Sequence, residues 1–247
     1  MNVQISKLTR RFGRALAVTG VDLQVDIGVF GLLGPNGAGK TSLLRMMATA
    51  VPPTSGTLRL LGRDPGVQRQ RREIRRRLGY LPQNPGYYPG FTVTEFVEYF
   101  ALLKEMPAGQ VPGAVATAIK RVGLAGSSHA RLRTLSGGML RRAAIAQAIV
   151  NEPELLLLDE PTAGLDPEQR ATFRALLREL GEHATVIVST HLVEDVGAAC
   201  NKLALMDRGR IVFHGTPDDL SSRGTSNVIG DSPLERGYSA ALSEARS

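Results

Sequence analysis

The sequence predicts an α/β fold built on a mixed β-sheet, and three patterns carry this prediction. Four short runs are apolar without interruption, as strands covered on both faces of a parallel sheet are: VFGLL, LGYLP, ELLLLD and TVIVST. Alternating apolar residues predict half-buried antiparallel strands over residues 3–8, over residues 21–27 and near Leu58. Between residues 85 and 150 the pattern is helical, without a convincing buried strand. These patterns predict two kinds of sheet and a helical insertion.

The clearest local helix signal is the stretch DPEQRATFRALLRELG. Asp166 is suited to cap this helix, Pro167 fits its first position, and Gln169 has the spacing of a capping box. Gly181 is predicted to end it. One apolar face is formed by Phe173, Leu176, Leu177 and Leu180. Two further helical segments, TVTEFVEYFALLK and VPGAVATAIKRVGL, lie in the insertion.

These elements predict a division of the chain into three parts. Residues 1–84 and 151–220 would form an α/β core with an antiparallel β subdomain, and residues 85–150 an inserted α-helical subdomain. Residues 221–247 would form a short C-terminal appendage. The appendage follows the polar, turn-rich stretch GTPDDLSSRGTSNVIGDSP, and in it Leu234, Tyr238 and Leu242 share one helix face.

The composition limits the classes of protein to which this chain can belong. A chain of 247 residues that is 43% hydrophobic can bury a core. No apolar run approaches the ~18 to 20 residues that span a bilayer, and the start has no signal-peptide h-region. We therefore expect the protein in the cytosol unless a partner holds it at a membrane. Cys200 is the only cysteine, which excludes an internal disulfide and suits a reducing compartment.

The net charge of +7 is concentrated in the run RQRREIRRRLG, from residue 69 to residue 79. This run is interpreted first as the solvated face of a helix. Alternatively, it is a surface that attracts phosphates or anionic lipid headgroups over a long range. We do not expect a nucleic-acid partner, although the basic run keeps that alternative open.

The stretch GPNGAGKT matches the G-x-x-x-x-G-K-[ST] pattern between a predicted strand and a predicted helix. Its glycines let backbone N–H groups and a helix N-terminus point at a phosphate. Lys40 would lie beside the β and γ phosphates, and the Thr41 hydroxyl is suited to bind Mg²⁺. The alternative is a glycine-rich tight turn. The residues expected to hold a nucleotide are Gly34, Pro35, Asn36, Gly37, Ala38, Gly39, Lys40, Thr41 and Ser42. The predicted fold class is thus a P-loop NTPase (RecA-like).

Polar residues follow three of the predicted parallel strands. Asp159 and Glu160 end the run of four leucines, where open α/β sheets bind ligands. Asp159 is suited to hold Mg²⁺, and Glu160 to orient and deprotonate the attacking water; the alternative is a polar turn. His191 could donate a hydrogen bond to the γ phosphate, and Gln83 could reach Mg²⁺ or the water. Taken alone, each of these two residues is an ordinary polar residue.

A second serine- and glycine-rich segment, TLSGGM, opens another predicted helix far from the first. Ser136, Gly137 and Gly138 would direct a hydroxyl and a helix N-terminus at an anion. No group nearby in sequence supplies that anion. The alternative is an ordinary serine-capped helix.

The motifs GPNGAGKT, LPQ, LSGGM, LLLLDEP, AGLD and STH occur together in one order. In that order and approximate spacing the chain resembles the ATP-binding subunit of an ABC transporter, from residue 1 to about residue 215. The resemblance implies ATP and Mg²⁺ as cofactors and nucleotide-binding domains that pair head to tail. Ser136, Gly137 and Gly138 would then meet ATP held by the second nucleotide-binding domain, which is either an identical copy or a different chain.

The resemblance also implies roles for other residues. Phe12 falls where the family stacks an aromatic ring on adenine, and Asp166 falls in the loop that contacts the partner. Gln83 would lie at the junction with the part that docks on a membrane permease. Met139 stands where glutamine is usual, which removes one polar contact near the partner's nucleotide.

The implied function is that of a stand-alone ATPase subunit of a transporter. It would sit on the cytoplasmic face of the cell membrane, held by a permease and not inserted itself. The stretches RTLSGGMLRRAAIAQAIV and LLLLDEPTAGLDP resemble export systems for drugs, antibiotics, lipids or polysaccharides. An importer subunit is the alternative within the class, and a soluble ABC ATPase acting on ribosomes or nucleic acid is the alternative outside it. A non-catalytic subunit would be expected to lack Lys40, Glu160 or His191, and all three are present.

Overall fold

The computed structural model describes residues 1–225 and 228–246. Its strands are β1 Val3–Phe12, β2 Ala15–Val25, β3 Gly28–Leu33, β4 Ser55–Leu60, β5 Leu78–Leu81, β6 Leu155–Asp159, β7 Thr185–Thr190, β8 Lys202–Asp207 and β9 Arg210–Gly215. Its α-helices are α1 Lys40–Met47, α2 Gln68–Arg76, α3 Val93–Leu103, α4 Val111–Arg121, α5 Gly137–Ile149, α6 Pro167–Gly181, α7 Val193–Ala199, α8 Pro217–Ser221 and α9 Pro233–Arg246.

Two sheets organise these elements. The smaller sheet has the order β2-β1-β4 and is antiparallel throughout. The larger sheet has the order β5-β6-β7-β3-β8-β9, with parallel pairing from β5 to β8 and an antiparallel edge strand β9. The prediction of an α/β fold with a mixed sheet and a separate antiparallel sheet is therefore confirmed.

Strand β6 explains why the parallel strands have continuous apolar sequences. Leu155 and Leu157 pack into the cluster that contains α1 and the smaller sheet. Leu156 and Leu158 point to the opposite face, into the cluster of helices α3 to α6. All four side chains are buried, and each contributes roughly 1.5 to 3 kcal/mol through burial. Because both faces are covered, no position on this strand favours a polar residue.

The smaller sheet buries one face, and its alternation ends earlier than the sequence predicts. Val21, Leu23 and Val25 are buried on β2. Ile27, which continues the same alternation, is 61% exposed and lies beyond the strand. The chain turns there toward β3 through Gly28, whose φ of +126° is a conformation that glycine adopts readily. Including Ile27 in the strand was therefore wrong.

Helix α6 begins and ends where the sequence predicts. Asp166 accepts a hydrogen bond from the Gln169 backbone N–H at 2.8 Å, and Pro167 is the first helical residue. The Gln169 side chain is not part of a reciprocal capping box, because its Oε1 has no hydrogen-bond partner among the described residues. Gly181 is the last helical residue, and a Cβ there would lie 2.6 Å from the Val29 side chain. Close packing against β3 is the physical reason for glycine at this position.

Helices α3, α4 and α5 occupy the stretch between β5 and β6. Thr92 and Glu95 form a capping box at the start of α3. In the tail, Leu220 of α8 and Leu242 of α9 pack into a third cluster with Leu205 of β8. Part of the polar stretch before α9, residues 226 and 227, lies outside the described residues. None of the helices described is both long and apolar enough to cross a bilayer.

Candidate functional site

Four adjacent strands of the larger sheet end beside one another at the same edge. Leu33 of β3 pairs with Thr190 of β7, and Ser189 of β7 pairs with Asp159 of β6. Leu81, at the end of β5, pairs with Leu158. Because the strands are parallel, the segments that follow them emerge together. The four predicted polar segments are thus brought to one edge from distant parts of the sequence.

The phosphate loop, residues 34–41, connects β3 to α1 at this edge. A Cβ at Gly34 would lie 2.3 Å from the Met206 carbonyl oxygen, and a Cβ at Gly39 would lie 2.3 Å from the Ala17 carbonyl oxygen. Both glycines also have positive φ angles, so no other residue fits easily. Gly39 is the N-cap of α1 and provides no side-chain cap. The first-turn N–H groups of α1 have no partner within the helix, which makes this end an anion-binding site.

Lys40 is only 6% exposed, although it is charged. Its Nζ donates to the carbonyl oxygens of Gly34 and Pro35 and lies 3.8 Å from Glu160 Oε1. Burial lowers the pKa of Lys40, while the neighbouring Glu160 and Asp159 carboxylates act in the opposite direction. An ammonium held this way is satisfied by carbonyl dipoles and is available to an anion that enters the loop.

Asp159 is fully buried, and only one of its two carboxylate oxygens has a hydrogen-bond partner among the described residues. Its Oδ1 accepts hydrogen bonds from Thr41 Oγ1, at 3.2 Å, and from Ser189 Oγ. Its Oδ2 is buried and has no hydrogen-bond partner among the described residues. A buried carboxylate oxygen without a partner is costly in an apolar interior. A hard divalent cation coordinated by Asp159 and the Thr41 hydroxyl fits this donor set.

Glu160 is buried in an unusual backbone conformation. Its φ is +50°, in the left-handed region that costs a residue with a side chain roughly 1 to 2 kcal/mol. Its backbone N–H donates to Ser189 O and Ser189 Oγ, at 3.1 and 3.2 Å. Its Oε2 lies 2.9 Å from Nδ1 of His191, whose side chain is 49% exposed. This conformation directs the carboxylate between Lys40 and His191.

A cleft of about 360 Å³ lies over the phosphate loop. Glu160 and Gln83 line it together with residues 35–42 and Ala17. Gly34, which precedes these loop residues, is buried. The Nδ1 of His191 contacts Glu160, one of the residues that line the cleft. Most of the site residues predicted from the sequence therefore lie in this cleft or beside it.

Two other selected groups lie outside the lining of this cleft. Phe12 is exposed at the end of β1, and the Arg10 guanidinium lies 4.4 Å from its ring centre. Ser136 and Gly137 are also exposed, at the start of α5. Ser136 caps its own helix by accepting from the Met139 N–H at 3.2 Å. Gly138 is partly covered by Gln169, whose Oε1 would lie 2.8 Å from a Cβ.

Two further residues support the site, and neither was assigned a role from the sequence. Ser189 Oγ donates to Asp159 Oδ1 and accepts from the Glu160 N–H. Arg141, one turn into α5, is buried and donates to the backbone carbonyls of Asp159 and Pro161 at 2.8 and 3.1 Å. The only available signal was position, because Ser189 is the serine of the STH motif and Arg141 is the second residue after LSGGM.

Comparisons with known proteins identify the family. A family model described as ABC transporter matches residues 18–163. The Nod factor export ATP-binding protein I of Paraburkholderia xenovorans is 38% identical over 220 residues, covering 88% of this chain and 72% of that protein. An uncharacterized ABC transporter ATP-binding protein of Bacillus subtilis, YxlF, is 35% identical over 235 residues, covering 95% and 77%.

Solved structures share the fold. The structure of cbiO1 from Clostridium perfringens, described as part of the ABC transporter complex cbiONQ, superposes with a TM-score of 0.79 at 27% identity and covers 89% of this chain and 90% of that one. A dimeric bacterial ABC transporter cassette superposes with a TM-score of 0.80 at 24% identity, covering 87% and 98%. The chain thus belongs to the ABC transporter family, as a subunit that binds and hydrolyses ATP.

Proposed function

We propose that this subunit hydrolyses ATP in the cleft over the phosphate loop and thereby powers export through a separate membrane permease. The observation that carries this proposal is the convergence of Lys40, Asp159 and Glu160 at one sheet edge, where one buried Asp159 oxygen has no hydrogen-bond partner in the described part of the chain. The triphosphate would lie along the N–H groups of residues 37–42, with Lys40 beside its terminal phosphates.

Mg²⁺ is the second proposed cofactor. Asp159 and Thr41 would hold it, and the exposed Gln83 amide, on the rim of the same cleft, would approach it from the other side. The ion, when bound, would neutralise charge that develops on the phosphate oxygens. Asp159 Oδ2 has the chemistry of an oxygen ligand, and its lack of another partner supports this assignment.

Glu160 is the proposed general base. Its carboxylate would accept a proton from the attacking water, and its strained backbone keeps Oε2 close to His191. His191, being half exposed, would contact the γ phosphate from the open side of the cleft. Lys40 acts on the phosphates, and its distance of 3.8 Å from Glu160 Oε1 leaves that carboxylate free to accept the proton.

The catalytic unit is proposed to be a pair of cassettes. A Cβ at Gly137 would meet no described atom within 4 Å, so nothing among the described residues explains a glycine there. A nucleotide approaching from outside would explain it, since Ser136 and the start of α5 face solvent. Each copy carries one phosphate loop and one LSGG segment (residues 135–138). Two copies related by a two-fold axis therefore complete each other, and we take a second copy as the partner.

Export is the proposed direction, with a drug, antibiotic, lipid or polysaccharide as cargo class. The Nod factor export relatives support this direction. Residues 85–150 are proposed as a helical subdomain that docks on the permease, and residues 221–247 as an appendage to the core formed by residues 1–84 and 151–220. The subunit would work at the cytoplasmic face of the cell membrane. Phe12 would stack on adenine, with Arg10 behind the ring.

Hydrolysis is tested with Glu160→Gln, which keeps the shape of the side chain and removes the base. We expect turnover to fall by about 10² to 10⁴, while ATP affinity stays within a few-fold. Glu168→Gln is the control, because Glu168 is exposed on the first turn of α6. Turnover by Glu160→Gln at the level of this control would remove Glu160 from the role of base.

Coupling to a permease is tested by purification of the tagged chain from its own membranes in mild detergent. We expect a membrane protein with several spans of ~20 apolar residues to be recovered in stoichiometric amount. Recovery of ribosomes or DNA without a membrane protein would contradict the transport function and leave the ATPase assignment intact.

A further inference from the structure

Arg141 connects helix α5 to two of the loops that carry proposed catalytic groups. Its guanidinium donates to the carbonyl oxygens of Asp159, the last residue of β6, and of Glu160 and Pro161, which follow it. It also donates to the carbonyl oxygen of Gln83 at 3.0 Å and, more weakly, to that of Pro82 at 3.4 Å. One planar side chain thus joins three segments that are remote in sequence.

The two ends of α5 are attached to the core in different ways. Its C-terminal half lies directly on β5, where a Cβ at Gly79 would approach the Ala148 carbonyl oxygen to 2.0 Å. Gln147 reinforces this contact by donating to the Tyr80 carbonyl oxygen at 3.1 Å. The N-terminal half, which carries the LSGG segment, reaches the loops after β5 and β6 through the Arg141 side chain. A shift of the helix start would therefore reach these two loops through this arginine.

The contact is made at the strained point of the catalytic loop. Glu160 has its positive φ between two fixed hydrogen bonds, one on each side of the residue. Ser189 accepts from the Glu160 N–H, and Arg141 donates to the Glu160 carbonyl oxygen. Because both peptide groups are held, the direction of the Glu160 carboxylate depends on where Arg141 holds the loop.

The chemistry of arginine is required here. Arg141 is buried, and its hydrogen-bond acceptors are backbone carbonyl oxygens and not carboxylates. Burial lowers the pKa of Arg141, and the nearby Asp159 and Glu160 charges act in the opposite direction. The guanidinium remains charged in any case, since its pKa starts so high. A lysine would keep the charge but has no planar fork to reach both loops at once.

We propose that Arg141 is a positioning residue, which sets the orientation of Glu160 and Gln83 according to the position of the LSGG segment. This inference rests on the proposed function, because it assumes that Glu160 is the base. When Ser136 and Gly137 bind a nucleotide on the partner cassette, the start of α5 is fixed and Arg141 fixes the loops. Hydrolysis is thereby made to depend on a closed pair.

The test compares Arg141→Met and Arg141→Lys with Arg142→Met in the full chain. Arg142 is the matched control, because it lies on the same helix turn and donates to the Val122 and Gly123 carbonyl oxygens, away from the site. We expect kcat to fall about 10- to 100-fold in both Arg141 variants, the size expected for a misplaced catalytic group. The KM for ATP and single-chain ATP affinity should stay within about threefold, and Arg142→Met should retain wild-type kcat.

A double-mutant cycle separates positioning from general damage. In the Glu160→Gln background, Arg141→Met should lower the residual single-turnover rate by clearly less than the 10- to 100-fold expected in the wild-type background, because one of the two groups it positions is already gone. Multiplying effects would overturn the proposal, as would an unchanged kcat in the Arg141 variants. Loss of the folded state in both Arg141→Met and Arg141→Lys would also overturn it, since Arg141 would then be a structural residue.

The same cycle distinguishes this proposal from the proposed function. If Glu160→Gln retains full turnover, the assignment of the base fails, and the role of Arg141 fails with it. If Glu160→Gln loses turnover while Arg141→Met behaves like Arg142→Met, only the positioning role fails.

Discussion

Two glycine-rich segments open helices in this chain, and the structure treats them differently. The phosphate loop is surrounded by the groups it needs: Lys40 is buried in it, and Asp159 and Glu160 lie beside it. The LSGG segment faces solvent, and Ser136 merely caps its own helix. We therefore propose that the first segment is the assembled half of a nucleotide site, and that the second is the half that meets a nucleotide held by another cassette.

The role of such a motif depends on which other groups the fold places beside it. Both helix starts have glycines, unsatisfied N–H groups and a hydroxyl residue, which are the local requirements for binding an anion. Only the first is placed at the shared edge of β3, β7, β6 and β5. Substitutions should therefore have different consequences in the two segments.

Among substitutions within the two glycine-rich segments, the largest effect is expected from Lys40→Met. Removing the ammonium takes away charge-assisted hydrogen bonds to the terminal phosphates, each worth about 1.5 to 3 kcal/mol. Turnover should fall by about 10² to 10³ and ATP affinity by about tenfold or more. Isothermal titration measures the ATP affinity, and a phosphate-release assay measures the turnover. Wild-type ATP affinity in this variant would contradict the assignment of the phosphate loop.

A comparable loss of turnover without loss of binding is expected from Gly137→Val in the exposed half. A Cβ at this position meets no described atom within 4 Å beyond its chain neighbours and the nearby helix backbone, so the melting temperature should stay within about 2 °C. ATP affinity of the single chain should be unchanged, while hydrolysis falls by about 10²-fold because the partner's nucleotide is blocked. Normal hydrolysis by a folded Gly137→Val chain would show that this surface stays away from nucleotide.

Ser136→Ala and Thr92→Ala remove the capping hydroxyls of two helices and test whether Ser136 does more than cap its own helix. Both hydroxyl side chains accept an N-cap hydrogen bond, Ser136 from Met139 and Thr92 from Glu95. Each substitution should cost about 1 kcal/mol of unfolding free energy in thermal or urea denaturation. Only Ser136→Ala should also lower turnover. Equal turnover in the two variants would mean that Ser136 is nothing more than a cap.

The smallest effect is expected in the tail, outside both halves. Arg246 of α9 donates two hydrogen bonds of 2.9 Å to Asp207, and this contact holds the pKa of Asp207 below its ordinary value. The resulting stability is present above the ordinary pKa and disappears as pH falls through the lowered one. Arg246→Gln should lower the melting temperature at pH 7 by about 2 °C or less. The difference from wild type should persist down to about pH 4, the ordinary pKa of an aspartate, and shrink at lower pH as Asp207 becomes protonated. A difference that grows there would contradict the pairing.

Much of the fold was predictable because burial leaves a direct pattern in the sequence. The four leucines of β6 and the cap of α6 predicted their elements, and the polar residues after each strand predicted a shared edge. Strands β8 and β9 were not predicted, although Leu203 to Met206 form an apolar run like that of β6. Ile27 continues the alternation of apolar residues in the sequence, but it lies beyond the end of β2, where the chain turns toward Gly28.

The supporting residues of the site were less predictable, for a physical reason. Arg141 and Ser189 act through contacts that span 18 to 59 and 29 to 30 residues of sequence, respectively. Their partners are mainly backbone groups, which leave no trace in side-chain identity. Only the folded arrangement of α5, β6 and β7 reveals them.

The most direct measurement is to mix the Lys40→Met chain with the Gly137→Val chain and assay ATP hydrolysis. In a mixed head-to-tail pair, the intact phosphate loop of one chain faces the intact LSGG segment of the other. Turnover should therefore rise well above the sum of the two variants alone, toward about a quarter of wild type at equal amounts, since about half of the pairs are mixed and each has one intact site. A mixture that hydrolyses ATP no faster than the two variants assayed separately would contradict a site shared between two copies of this chain.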